Sequence, residues 1–298
     1  MISSSPIAKW IFTVAAASVK IGLSPFAESL HPIRFISMLS GGERKVFRKI
    51  SLLAAAFTLV VVASESSCAS QAAPATHHYL VKRATGQIYV DGKLEEADWA
   101  ACKPIRLVGY NEGVSVKQQT TARMLWDDGY LYISWHCEDS QVWSTLTARD
   151  DTLYEQEVVE VFINPDGDRE AYLELEVNPL GTLWDGFVLK RDSGLIGILA
   201  WNSFGLRRGV NLEGTVNDPS DKDKSWSVEL AVPLDELVTA PNFPPKSGDK
   251  WRLNLYRIDL PQRNKELADY SAWSPVSGES YHDPDRFGEI EFSSESVR

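Results

Sequence analysis

From about Tyr79 onward, apolar and polar residues alternate with a period of two, the pattern of half-buried β-strands. "TARMLWDDGYLYISWHCED" alternates on both sides of Asp127-Asp128-Gly129, which predicts a hairpin. On its second arm Leu131, Ile133, Trp135 and Cys137 share one face; Tyr130, Tyr132, Ser134 and His136 share the other. A second hairpin is predicted where "VVEVFIN" and "AYLELEVN" flank the turn "PDGD". There Leu173, Leu175 and Val177 point one way, and Tyr172, Glu174, Glu176 and Asn178 the other; Glu160 shares a face with Phe162 on the partner strand. "WSVELAVP" (226–233), with Trp226, Val228, Leu230 and Val232 inward, "WRLNLYRIDL" (251–260) and "FGEIEF" (287–292) add further strands. "GQIYV" reads as a short strand before a turn at Asp91-Gly92 and a helical turn carrying Trp99. Many short strands with little helical periodicity predict an all-β fold, an antiparallel β-sandwich of immunoglobulin-like or jelly-roll type.

The first third of the chain breaks this pattern. "ERKVFRK" (43–49) is basic, and Ile50 to Ala63 is an uninterrupted apolar run, short for a membrane span but suited to a signal-peptide core. Residues 1–67 therefore read as a leader, and a second apolar patch before Met38 suggests translation starting at Met38. Cys68 follows Ser66-Ser67, so lipidation of this cysteine and simple cleavage both stay open. Residues 68–78 read as a linker and 79–298 as one domain, large enough for a real core. The expected location is outside the cytoplasm: periplasmic, extracellular or lipid-anchored, with membrane contact only through such an anchor.

Charge narrows the partners. The chain carries −11; subtracting the leader's +4 leaves −15 for the remainder, a surface that repels nucleic acid and suits a neutral or cationic partner. With Cys68 set aside, Cys102 and Cys137 form an even pair for an oxidising compartment; a disulfide and two buried free thiols are the alternatives.

The stretch from Thr152 to Asp185 crowds carboxylates onto predicted strands, where acids lower β propensity and like charges repel across a ladder. The segments "WDDGYLYISWHCEDS", "LYEQEVVEVFINPDGD", "SWSVELAVPL", "AWSP" and "YHDPDRFGEIEF" resemble, in that order, the family 9 carbohydrate-binding modules, over about residues 88–292. The resemblance implies a β-sandwich associated with glycoside hydrolases that clamps a sugar between two aromatic rings. Those positions fall on Tyr154 and Tyr281, where the family usually has Trp. It also implies that Glu160 hydrogen-bonds sugar hydroxyls, and that His282, next to the second clamp position, meets the ligand. Where the family places an Arg, this chain has Glu176: a five-donor guanidinium has become an acceptor-only carboxylate. Asn178, two residues on, shares its face.

A carboxylate-rich sheet face flanked by aromatics suits an oligo- or polysaccharide, because carboxylates make charge-assisted hydrogen bonds to O–H donors. Glu174 reads as the solvated side of the sheet. Trp184 and Trp201 fall in segments without period, as candidates to extend a groove. No cofactor is expected. Structural calcium is a candidate at Asp166 and Asp168 of the "NPDGD" turn, which is equally an ordinary Pro-Asp-Gly turn. No nucleophile motif, phosphate loop or metal-ligand spacing occurs. No residue is therefore assigned a catalytic role, and sugar binding is the expected function. A glycoside hydrolase using paired carboxylates, or an envelope domain without a sugar ligand, are the alternatives. A glycoside hydrolase partner is a further expectation.

Overall fold

The computed structural model describes residues 77–191 and 194–298; the leader, Cys68 and most of the linker lie outside them. Fourteen strands form one continuous, curled sheet: β1 (His78–Arg83), β2 (Ile105–Arg106), β3 (Val108–Gly109), β4 (Thr120–Trp126), β5 (Tyr130–Glu138), β6 (Val158–Asn164), β7 (Ala171–Val177), β8 (Leu183–Arg191), β9 (Gly194–Ala200), β10 (Arg207–Glu213), β11 (Ser225–Pro233), β12 (Lys250–Asp259), β13 (Asp269–Ala272) and β14 (Gly288–Ser296). A single helical turn, α1 (Ala97–Ala101), carries Trp99.

The main path runs β10-β11-β5-β4-β1-β14-β12-β6-β7-β8-β9. Its two wings, β10-β11-β5-β4 and β12-β6-β7-β8-β9, curl over one core and so form the two layers of a β-sandwich. Leu131, Ile133, Trp135 and Cys137 of β5 meet Trp226, Val228 and Leu230 of β11, Leu173, Leu175 and Val177 of β7, and Trp251, Leu253 and Leu255 of β12 there. Each inward set is the one the alternation picks out. The expected hairpins are present: β4 pairs β5 across Asp127–Gly129, and β6 pairs β7 across the "PDGD" turn, where Gly167 has φ +70°, a value glycine takes without strain.

Three features differ from the sequence reading. The sheet is mixed, because β1 runs parallel to both β14 and β4 and joins the two wings. Gln87–Val90 is not a strand; Ile88 instead packs beneath Trp99, whose indole N–H donates to Glu229 (2.6 Å). The third is the cysteine pair, whose thiols are both free. Cys102 sits beside the Met124 carbonyl with Trp99 and Leu125, whereas Cys137 lies in the main core opposite Thr120. Four residues of β4, about 13 Å, separate those two levels, roughly twice what a disulfide spans. Burial pushes both thiols up to about 12, so neither is a ready nucleophile.

Candidate functional site

The outer face of the β12-β6-β7-β8 wing holds the acidic residues. Pairing sets Tyr256, Glu160, Glu176 and Trp184 in one row across four strands, and Asn254, Phe162, Glu174 and Gly186 in the next. Glu160 and Glu176 are direct cross-strand neighbours. Loops from three other parts of the chain cover this face. One aromatic group, Phe162, Tyr172, Tyr256 and Phe287, packs with Tyr281 and Tyr110. A second group, Leu153, Val158, Ile258 and Leu260, packs with Trp143, Leu146, Trp184, Tyr270 and Tyr281.

The three glutamates are consequently buried, at 2 % exposure for Glu160, 5 % for Glu174 and 1 % for Glu176. One oxygen from each lies within 4.8 Å of the others. Glu160 Oε1, Glu174 Oε2 and Glu176 Oε2 have no hydrogen-bond partner. Burial raises all three carboxyls well above their ordinary range, and the charge of a neighbouring glutamate adds to each: Glu176 on Glu160, Glu160 on Glu174, Glu174 on Glu176. The expectation that Glu174 is a solvated surface acid is therefore corrected. Loops cover its side of the sheet, and it belongs to the trio.

Of the two tyrosines expected to clamp a sugar, Tyr154 lies near Glu174 and Glu176, and Tyr281 near Glu160. Tyr154, on the short 3-10 turn Leu153–Glu155, is 41 % exposed. Burial raises its phenol, with the charges of Glu155, Glu176 and Glu174 adding. Tyr281 is half-buried: its ring stacks on Tyr256 (centroids 4.1 Å apart, planes 11°), and its hydroxyl donates to the Arg257 carbonyl (3.0 Å). Burial and then Glu160 raise its phenol well above the ordinary value. One ring is thus a free platform, while the other is a fixed wall with one face already covered.

His282 lies at the rim. Its Nδ1 is 2.8 Å from the Tyr172 hydroxyl and 3.9 Å from Glu174 Oε2, and its ring stacks on Phe162.

Three expected site residues have other work. Asn178 is fully buried, its amide donating to Ser144 Oγ (2.9 Å) and the Leu146 carbonyl (2.8 Å) and accepting from the Leu180 and Thr182 backbone N–H groups. All four of its hydrogen-bonding positions tie down the neighbouring loop, leaving none for a ligand. Asp166 and Asp168 share the Asn164 amide (3.0 and 3.2 Å) and accept backbone N–H groups of residues 168, 170 and 171. These oxygens face N–H donors, as in a self-capped Pro-Asp-Gly turn. Among the described residues, the acidic groups dense enough for an ion lie elsewhere.

Sequence reasoning missed Tyr256 and Tyr270 as walls of the site. The alternation in "WRLNLYRIDL" does carry Tyr256 as a signal, since it opposes Leu253 and Leu255 in phase. Trp184 lies within β8 beside Glu176, and Trp201 packs on the main core. A second acidic group, Asp139, Glu157 and Asp259, surrounds the buried Arg257, whose guanidinium bonds Asp139 (2.8 Å) and reaches Asp259 (3.4 Å). An open groove of about 800 Å³ between Gln87–Asp91 and Leu206–Arg208 is remote from the glutamates.

Residues 90–295 match the profile of the family described as "Carbohydrate family 9 binding domain-like". The chain belongs to this carbohydrate-binding family. Endo-1,4-beta-xylanase A of Thermoanaerobacterium saccharolyticum is 24 % identical over 209 residues, 69 % of this chain but only 15 % of the xylanase. An extracellular protein of Arthroderma benhamiae is 24 % identical over 181 residues, 58 % of this chain and 78 % of its own. Among solved structures, a Bacteroides uniformis protein provisionally described as carbohydrate-binding superposes with a TM-score of 0.58 at 17 % identity, covering 73 % of this chain and 99 % of its own. A family 9 module of Caldicellulosiruptor kristjanssonii, solved with cellotriose, gives 0.50 at 15 % identity, with 74 % and 95 % covered. At these identities the structural likeness establishes the fold: a curled, mostly β sandwich of the family 9 type.

Proposed function

We propose that this protein is an exported sugar-binding module that holds a glycan, or one end of one, over Glu160, Glu174 and Glu176, with Tyr154 stacking on a pyranose ring. The observation that carries this reading is a set of three buried carboxylates with unpartnered oxygens, two of which, Glu174 and Glu176, lie near the exposed Tyr154. Unpaired buried acceptors are costly, and a ligand rich in O–H groups relieves that cost through hydrogen bonds. The tyrosine adds the apolar platform that a sugar's C–H face requires. The relatives support a glucan- or xylan-type ligand, since one is a xylanase and one module was solved with cellotriose. The extracellular relative and the basic-then-apolar leader support export. A glycoside hydrolase is the natural companion, since a matched relative is a xylanase.

Binding, not hydrolysis, fits the electrostatics. A glycosidase needs one carboxyl held protonated and a second held ionised. Here burial pushes all three glutamates upward, the direction of a held proton, and none of them is pushed downward toward the ionised form a nucleophile needs. Isothermal titration against xylo-, cello- and manno-oligosaccharides tests the reading: saturable binding to one series, with no release of reducing sugar, is expected. Release that disappears in Glu160→Gln would make the protein an enzyme.

A further inference from the structure

We propose that Glu160, Glu174 and Glu176 together hold one Ca²⁺ ion at the floor of this face, and that the ion's outward positions take hydroxyl oxygens of the sugar. The first half stands on the carboxylates alone; the second rests on the sugar-binding reading above.

Geometry favours an ion. Ca²⁺ sits about 2.3–2.6 Å from its oxygens, so two ligands facing each other across it lie at most about 4.6–5.2 Å apart. The three glutamate oxygens fall within 4.8 Å of one another, close enough to share a single ion. Each glutamate also keeps an oxygen without a hydrogen-bond partner, on side chains no more than 5 % exposed. Buried polar atoms are normally satisfied; His282 Nδ1 stands 3.9 Å from Glu174 Oε2, beyond hydrogen-bond reach, so three such oxygens in one place point to a partner from outside the chain.

The second acidic group shows how this fold handles the same density of charge without an ion. Asp139, Glu157 and Asp259 are equally crowded and buried, but Arg257 sits among them with a guanidinium bonded to Asp139 and close to Asp259. Among the described residues, neither Lys nor Arg pairs with the glutamate trio. An all-oxygen donor set excludes the sulfur and nitrogen preferences of zinc or copper and suits a hard cation. Magnesium demands near-ideal octahedral placement, whereas calcium accepts six to eight oxygens in flexible arrangements. Three glutamates leave several positions for other oxygens. The exposed Tyr154 side is the direction from which a ligand arrives, and two neighbouring hydroxyls of a pyranose are hard oxygen donors of the required kind.

The test is calorimetric titration of CaCl₂ into the full mature chain after chelator treatment, followed by glycan titration with and without the ion. One ion per chain is expected, with a dissociation constant of about 1 mM or tighter, as in extracellular modules, and a melting temperature that rises with CaCl₂. Glu160→Gln and Glu176→Gln, which keep side-chain shape, should each weaken the ion at least tenfold. Glu157→Gln, in the Arg257 group, should leave it unchanged. The absence of both heat and a melting shift up to about 10 mM CaCl₂, well past that range, overturns the site. So does ion binding that survives Glu160→Gln or is lost in Glu157→Gln. Glycan binding that needs Ca²⁺ supports both halves. Glycan binding indifferent to chelator overturns the ion's role and leaves the sugar reading standing. Ca²⁺ binding with no glycan bound at any ion concentration keeps the ion site and overturns the sugar reading.

Discussion

Tyr154 and Tyr281, the residues expected at the two clamp positions, have surroundings that give them different consequences on removal. Tyr154 stands on a short turn with 41 % of its surface exposed, so its ring is available and its loss disturbs little packing. Tyr154→Ala should weaken glycan binding by about two- to twelvefold, the equivalent of 0.5–1.5 kcal/mol of stacking, with an unchanged melting temperature. Equal affinity for every glycan in parent and variant would remove Tyr154 from the site. Tyr281, by contrast, is half-buried and stacked on Tyr256. Tyr281→Ala should therefore cost about 2–3 kcal/mol of stability, less than the loss of a fully buried aromatic. Tyr281→Phe should cost only about 1 kcal/mol, because it keeps the stack and loses one hydrogen bond. Urea denaturation of the two variants separates these terms.

At the scale of the element, register explains the acidity. The β6–β7 pairing sets Glu160 opposite Glu176, and β7's own alternation brings Glu174 to the same face. In the ion-free protein this arrangement makes stability depend on pH with a definite sign. The folded-state pKa of each glutamate is raised, so the folded chain retains protons that the unfolded chain has released. The resulting stability is complete below the unfolded value of about 4.3 and is lost as pH rises through the raised folded values. Melting temperatures in chelator-containing buffer should fall between about pH 5 and pH 8, and Glu160→Gln should flatten that fall and raise stability at the upper end. Parallel curves for parent and variant would show that Glu160 titrates normally.

Across the whole molecule, the two wings are held together by a strand and a charge. β1 bridges them in parallel with β14 and β4. Arg257 of β12 reaches the opposite wing, donating to Thr120 Oγ1 (3.2 Å) and the Glu138 carbonyl (2.8 Å) besides Asp139. Removing a buried ion-pair partner leaves uncompensated charge, so Arg257→Met should destabilise by about 3–5 kcal/mol. Arg257→Met with Asp139→Asn and Asp259→Asn should recover part of that loss. A single variant as stable as the parent in chemical denaturation would show that the network contributes nothing to joining the wings.

The alternation in the chain by itself determined the sandwich and its inward faces. Leu131, Ile133, Trp135, Leu173, Leu175, Val177 and Trp226 enter the core as their phase requires, because a period of two leaves a strand only two faces and one must be apolar. The same phase placed Glu160, Glu174 and Glu176 together on the other face. Only the tertiary structure decided whether that face meets water. The segments that cover it, Trp143–Leu153 from one connection and Tyr281 from another, are far apart in sequence, and an apolar residue in a loop carries no period to announce its target. Tertiary contacts likewise kept Cys102 from Cys137 and filled Asn178 with loop backbone, since each depends on which segment packs above it. The strand pattern is a local property of neighbouring side chains. Burial of the glutamates depends on long-range docking, which turns three surface acids into a buried cluster.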